Sequence, residues 1–169
     1  MIELLPISET FAETLFPIIH RTKVTDTLIW DGPESIEEYK SSLRIREDKM
    51  RAGSLHDFVI ASDGQPIGAI GLSAEPSAIG DIGLWIGVQF HGRGYGTEAV
   101  RLIVELGFGK LDLHRLEAKV FVGNAASRRI FEKNGFQLEQ TLHQAVRKRG
   151  KLLDEWLLGL AREDFKPRT

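Results

Sequence analysis

An alternating apolar run, Ile82-Gly83-Leu84-Trp85-Ile86-Gly87-Val88, feeds directly into Gln89-Phe90-His91-Gly92-Arg93-Gly94-Tyr95-Gly96, with Thr97-Glu98-Ala99-Val100 behind it. The passage reads as a strand, a glycine-rich turn and a helix start, which places a sheet and at least one helix side by side. Glycine lets such a turn curl with successive N–H groups pointing one way. The helix adds its unpaired first N–H groups and the positive end of its dipole, so an anion, most often a phosphate, suits the turn. Three glycines near a helix start equally suit a tight connection with no ligand, so spacing has to discriminate. The dinucleotide fingerprint fails, because Thr97 stands where its third glycine belongs. A nucleotide-triphosphate loop fails too, since no Gly-Lys-Ser/Thr tripeptide occurs.

The rest of the chain supplies the sheet and its helices. Ile2 to Leu5 reads as a first strand. Thr10-Phe11-Ala12-Glu13 has the capping-box pattern, with Phe11, Leu15, Ile18 and Ile19 near helical spacing and Pro17 bending or ending that helix. Pro33 suits a first helical turn, and Ser35-Ile36-Glu37-Glu38 is a second capping box. The helix it opens runs toward Met50, with Ile36, Tyr39, Leu43 and the stem of Arg46 facing inward. Phe58 to Ala61 and Pro66 to Leu72 form a hairpin about Asp63-Gly64, and residues 73–77 read as a loop. From Asp81 to Val88, one face takes Ile82, Leu84, Ile86 and Val88. The other takes Asp81, Gly83, Trp85 and Gly87, where the glycines leave room for a ligand or for crowded sheet packing.

Ala99, Val100, Ile103, Val104 and Leu106 give the next helix an apolar face, closed by Gly107 and Gly109. Arg115 to Phe121 is a strand. Asn124 to Lys133 is a short helix ended by Asn134-Gly135. Phe136 to Val146 and Leu152 to Leu160 make a last hairpin, whose basic turn from Arg147 to Lys151 reads as a solvated tip. The order is strand, two helices, three strands, helix, strand, helix, two strands. It describes a mixed α/β or α+β chain with one central sheet.

A chain of 169 residues suits a single domain over residues 1–169. A net charge of -2 provides no basic field for nucleic acid or an anionic membrane. With Cys at 0, disulfides, thiolate metal sites and an acyl-cysteine route are excluded. His20, His56, His114 and His143 have no metal spacing, so no metal is expected. The start lacks the pattern of a signal peptide, and no apolar run approaches the ~20 residues that span a bilayer, which together point to the cytoplasm.

Gln89, Gly92 and Gly94 spell Gln-x-x-Gly-x-Gly, and the segment from Asn124 through Ser127 to Glu132-Lys133-Asn134-Gly135-Phe136 spells N-x-x-S…E-K-x-G-F. In this order the two motifs resemble those of the GNAT superfamily of N-acetyltransferases, a resemblance that covers roughly Phe58 to Leu160. Trp30-Asp31-Gly32-Pro33-Glu34-Ser35, with Gly150-Lys151 and Asp154, is similar to the superfamily's ribosomal-protein (Rim-type) branch. The resemblance implies a mixed sheet splayed between its fourth and fifth strands and flanked by helices, with acetyl-CoA as co-substrate in the gap. It also implies a pyrophosphate held by the amides of His91, Gly92, Arg93, Gly94, Tyr95, Gly96 and Thr97, with Gln89 and the Arg93 side chain nearby. The pantetheine arm would lie beside Ile86, Gly87 and Val88, where an N–H of Ile86 or Val88 polarises the thioester carbonyl. Asn124, Ser127 and Phe131 would line the same arm, although Asn124 is equally a plain helix N-cap.

Amine acetylation also needs a neutral amine and a protonated leaving thiolate. Asp81, on the strand face with room for a ligand, is the candidate base; its alternative is an exposed strand-end carboxylate. His91 is the other titratable group near the loop. Phe131 stands where many members of the superfamily carry a proton-donating Tyr, which leaves Ser127 or water as the acid. The resemblance sets the acceptor near Trp30, Glu34, Glu37, Glu38, Tyr39 and Asp154, with Trp85 on the ligand-facing strand. The expected activity is direct transfer of acetyl, in a ternary complex, to a primary amine, foremost a protein N-terminal amine. A small-molecule amine (polyamine, amino acid or aminoglycoside) and a non-catalytic acyl-CoA-binding module are the alternatives. Homodimers occur among such relatives, and a homodimer stays open here.

Overall fold

A computed structural model describes residues 1–74 and 78–168. Among the described residues the strands are β1 (Ile2–Pro6), β2 (Leu55–Ser62), β3 (Gln65–Ala74), β4 (Ile79–Ile86), β5 (Arg115–Phe121), β6 (Gln137–Lys148) and β7 (Lys151–Ala161). The helices are α1 (Ala12–Ile19), α2 (Ile36–Arg51), α3 (Tyr95–Gly109) and α4 (Ala125–Glu132). This is the element order expected from the sequence. Ser35 caps α2 by accepting from the Glu38 N–H at 3.1 Å, a contact that stabilises a helix by about 1 kcal/mol. Asp63 and Gly64 both take positive φ, the geometry of a two-residue hairpin turn, and so join β2 to β3.

Several details differ from expectation. Thr10 caps nothing: Ser8 caps a 3₁₀ turn over Glu9–Phe11, and α1 begins only at Ala12. Pro17 lies within α1, which ends two residues later at Ile19. Ser73 and Ala74 extend β3, while the rest of that expected loop, Glu75, Pro76 and Ser77, lies outside the described residues. Gly107 does not end α3; it is buried inside the helix against Leu116. Strand β4 stops at Ile86, and Val88 opens a 3₁₀ turn with its side chain exposed.

The sheet order is β1-β2-β3-β4-β5-β7-β6, antiparallel throughout except for the parallel pair β4–β5. That pair holds for three register positions only: Ile79↔Arg115, Gly80↔Leu116 and Asp81↔Glu117. Both strands run on unpaired with each other, so the sheet splays between its fourth and fifth strands as expected. Helices α1 and α2 cover one face through Leu15, Ile19, Tyr39 and Leu43, packed on Val59. Helix α3 covers the other through Val100, Ile103 and Val104, packed with Leu72, Leu116 and Leu158. Each such fully buried aliphatic side chain contributes about 1.5–3 kcal/mol, so both faces of the sheet are held by helices, and α3 bridges the strands on either side of the split. No helix among the described residues is long and apolar enough to cross a membrane.

Candidate active site

Beyond Asp81 the parallel strands separate, and a cleft of about 660 Å³ opens through the splay. One edge of the cleft is the C-terminal end of β4. The Gly87 N–H donates to the Ile67 carbonyl at 2.9 Å. By antiparallel alternation the neighbouring Ile86 amide then points away from β3, toward the side that β5 has left. The Ile86 carbonyl accepts from His91 Nε2 at 2.8 Å, which folds the His91 ring back onto β4 and braces the turn between them.

The glycine turn continues from there. Gly92 and Gly94 have φ of +76° and +79°, a region that side chains other than glycine strain to adopt. Their curl leaves the amides of Gly92 through Thr97 without an acceptor among the described residues, at the positive end of α3. Gly96 is buried where an added Cβ would lie 2.6 Å from Ile130 Cδ1, so glycine there lets α3 approach α4 closely. Asn134 ties the same two helices by donating to the Thr97 and Ile130 carbonyls at 3.0 and 2.9 Å. This unpaired row of amides fits a diphosphate. Gly83 faces open space, as its place on the ligand face requires, but Gly87 does not: Ile18 and Phe90 crowd it.

Across the cleft, α4 presents Asn124, Ser127 and Phe131. Asn124 is the N-cap, its Oδ1 accepting from the Ser127 N–H at 3.2 Å, and this aims the Ser127 side chain of the first turn at the cleft. Phe131 is buried, packed edge-on against Phe136 at 5.2 Å, so it forms the floor and has no proton to give. Asp81 lies where the strands part. Loss of hydration pushes its carboxyl above the ordinary range, Lys119 pulls it back, and Glu117 pushes it up again.

The acceptor end is aromatic and charged. Trp30 and Tyr39 lie 6.1 Å apart between ring centroids and line the cleft with Trp85. Burial holds the Tyr39 hydroxyl well above its usual pKa, so it stays neutral. Arg46 and Asp57 form an ion pair on the same wall. Neither Asp57 nor Glu155, both buried carboxylates lining the cleft, was singled out by the sequence. Period-two parity on β2 and β7 was the only signal for either.

Other expected acceptor residues lie elsewhere. Glu38 and Glu37 are exposed on the outer side of α2, because helical spacing turns them away from the Tyr39–Leu43 face. Glu34 is exposed and paired with Arg21. Asp154 accepts from the Gln144 N–H at 2.8 Å and faces His143, fixing an irregularity in β6. The basic turn from Arg147 to Lys151 is exposed as expected except at Lys148, and two of its side chains are engaged rather than free in solvent. Lys148 is buried, its Nζ donating to Asp31 at 2.5 Å and to the Trp30 carbonyl at 3.3 Å. Arg149 reaches Asp26 at 2.7 Å and Thr25 at 3.2 Å. The closing hairpin thus straps the Trp30 loop over the acceptor end, and the Lys148 ammonium lowers the Asp31 carboxyl pKa.

This architecture has close counterparts. The sequence profile of the acetyltransferase (GNAT) domain matches residues 2–137. The probable N-acetyltransferase YjcK of Bacillus subtilis is 31% identical over 141 residues, covering 79% of this chain and 77% of that protein. Among solved structures, RimL, a ribosomal L7/L12 alpha-N-protein acetyltransferase in complex with coenzyme A, superposes with a TM-score of 0.89 at 22% identity, over 95% of this chain and 93% of RimL. A spermidine N-acetyltransferase from Vibrio cholerae, with coenzyme A and spermine, gives 0.84 at 16% identity over 96% of each chain. The chain belongs to the GNAT acetyltransferase family and is an acetyl-CoA-dependent N-acetyltransferase.

Proposed function

We propose that this enzyme acetylates a protein N-terminal amine by direct transfer, with both substrates held at once in the splay between β4 and β5. The observation that carries the reading is the lining of the acceptor end, where Trp30, Tyr39 and Trp85 meet Ala145 and Val146 of β6 and Asp81. Such an aromatic and aliphatic lining suits the first residues of a peptide whose terminal amine reaches Asp81. The RimL likeness supports the same choice of acceptor.

Acetyl-CoA supplies an activated thioester carbonyl. The amides of Gly92 through Thr97 hold its diphosphate, and Gln89 and Arg93 stand beside them. The Ile86 N–H, aimed into the splay, is the donor that polarises the carbonyl oxygen as negative charge builds on it. Asp81 takes the proton of the incoming amine, a role suited to a carboxyl whose pKa partial loss of hydration has raised. Ser127 supports the departing thiolate by hydrogen bonding, in place of the acid that Phe131 cannot be. The absence of cysteine leaves direct transfer as the route without an acyl-thiol intermediate.

A second reading is favoured by the carboxylates at the acceptor end: Asp57, Asp81 and Glu155 outnumber Arg46 and Lys119 there, which would suit a polycationic small amine. Coenzyme A release measured with free N-terminal peptides, the same peptides blocked at the terminus, and spermidine separates the two. Turnover of free peptides alone supports the proposal. Turnover of spermidine with none of any peptide would replace it.

The strap at the acceptor end makes a separate prediction. Lys148→Ala frees the Trp30 loop, so the acceptor KM is expected to rise about tenfold, ~1.4 kcal/mol, with acetyl-CoA affinity unchanged. Steady-state kinetics with calorimetric titration of the coenzyme check this. An unchanged acceptor KM would detach the hairpin from acceptor binding.

A further inference from the structure

Glu155 is only 4% exposed, lines the cleft, and makes no hydrogen bond or ion pair among the described residues. Its place in the sheet says what it faces. On β5, Glu117, Lys119 and Phe121 share one face, opposite the Leu116, Ala118 and Val120 that pack under α3. Asp81 is in register with Glu117 across the parallel pair, and Glu155 is in register with Phe121 across β5–β7. Asp81, Lys119 and Glu155 therefore lie on one side of the sheet, around the point where it splits. Glu117 is already engaged by Arg115 at 2.9 Å. The charged groups that act on Glu155 are Lys119 of β5 and Asp81 of β4, while β6 sets Leu142 opposite it.

Two unpaired carboxylates thus share one ammonium, and the cluster is one positive charge short of balance. A protonated amine supplies that charge. We propose that Glu155 is a catalytic residue: with Asp81 it forms a two-carboxylate seat that binds the acceptor as its ammonium ion and takes over its proton. The inference rests on the role given above to Asp81. Desolvation raises the carboxyl pKa of Glu155, Lys119 lowers it and Asp81 raises it, the condition under which a buried carboxylate takes up a proton readily. In the reaction one ammonium proton passes to a carboxylate oxygen of the pair, and the freed lone pair forms the N–C bond to the thioester carbonyl carbon. The C–S bond breaks with its electrons leaving on sulfur. The nitrogen then loses its second proton; one of the two protons ends on the thiol and the other in solvent.

Stability provides a readout independent of turnover. Glu155 has a raised pKa in the folded state, so the fold favours its protonated form. Its contribution is most stabilising below the ordinary carboxylate pKa and is lost as pH rises through the raised value. Glu155→Gln is therefore expected to melt at or above the wild-type temperature at pH 7, with the difference shrinking toward pH 4. That outcome also establishes that the variant folds.

The test compares wild type, Glu155→Gln and Glu155→Asp with whichever amine the wild type acetylates, peptide or spermidine, between pH 6 and 9.5. The expected result for Glu155→Gln at pH 7 is a loss of about thirtyfold or more in acceptor kcat/KM, much of it in KM, with acetyl-CoA affinity within twofold. With a peptide the gap should narrow above pH 8, where α-amines are already neutral in solution; with spermidine, whose alkylamines stay charged, it should persist to pH 9.5; with either, Glu155→Asp should recover part of the activity. A Glu155→Gln enzyme within twofold of wild type at pH 7, or a loss on a peptide that is constant across pH, overturns the inference. A wild type that uses only spermidine overturns the peptide reading and leaves Glu155 to be judged on that amine. A wild type that acetylates no amine overturns both.

Discussion

Gly94→Trp is expected to weaken acetyl-CoA binding at least about a hundredfold, ~2.7 kcal/mol, while the protein still melts within about eight degrees of wild type. The two halves of this expectation have separate causes. Gly94 has φ of +79°, so any side chain there adds local strain of roughly 1–2 kcal/mol. A Cβ at Gly94 meets nothing within 4 Å, so a side chain there starts into open space. A bulky indole then competes for the room beside the amides of Gly92 through Thr97, which a diphosphate would need in order to come within hydrogen-bond range. Isothermal titration with acetyl-CoA, paired with a thermal melt, checks both halves. Wild-type affinity in a folded variant would remove the turn from the coenzyme site.

The second large effect is at the acid–base centre. Asp81→Asn keeps the shape and polarity of the side chain but cannot take up a proton. The acceptor kcat/KM is expected to fall about 10²–10³-fold, the range typical for loss of a general base, with acetyl-CoA affinity unchanged. The pH profile has a sign as well. Asp81 serves as a base only when ionised, and loss of hydration at the strand split raises its pKa above the ordinary carboxylate value. The wild-type kcat/KM should therefore climb with pH through a limb above the ordinary carboxylate range, and the variant should lack that limb. Ser127→Ala, which removes a hydrogen bond to the leaving group and no proton acceptor, is expected to lower kcat by only about tenfold. A variant at position 81 with wild-type kcat/KM would move the base elsewhere.

The glycine turn and the helices beside it were the more legible side of the cleft, for a physical reason. A turn that presents successive amides must use glycine at positive φ, and a helix that follows at once shows in its apolar period, so Gly92, Gly94 and the face of α3 were readable in one dimension. Asn124 and Ser127 were readable because a cap and its partner are three residues apart. The acceptor half is assembled from residues with no such local signal. Glu155 meets Asp81 only through the registers of three strands, and Asp57 meets Arg46 only once α2 lies across β2. Lys148 looked like a hairpin-tip charge because its partners, Asp31 and the Trp30 carbonyl, lie over a hundred positions away. Glu38 misled in the opposite way: next to Tyr39 in sequence, it is turned to solvent by the 100° step of the helix.

In the proposed mechanism the splay beyond Asp81 brings thioester and amine together in one cleft. A conjugate that joins coenzyme A through its sulfur and an acetyl spacer to the N-terminal nitrogen of an acceptor peptide measures this directly. If both sites open into the same cleft, the second half binds at high effective concentration. The predicted result is a conjugate that competes with both substrates and binds at least about a hundredfold tighter than coenzyme A alone. A conjugate that binds no more tightly than coenzyme A, or competes with acetyl-CoA only, would contradict the claim.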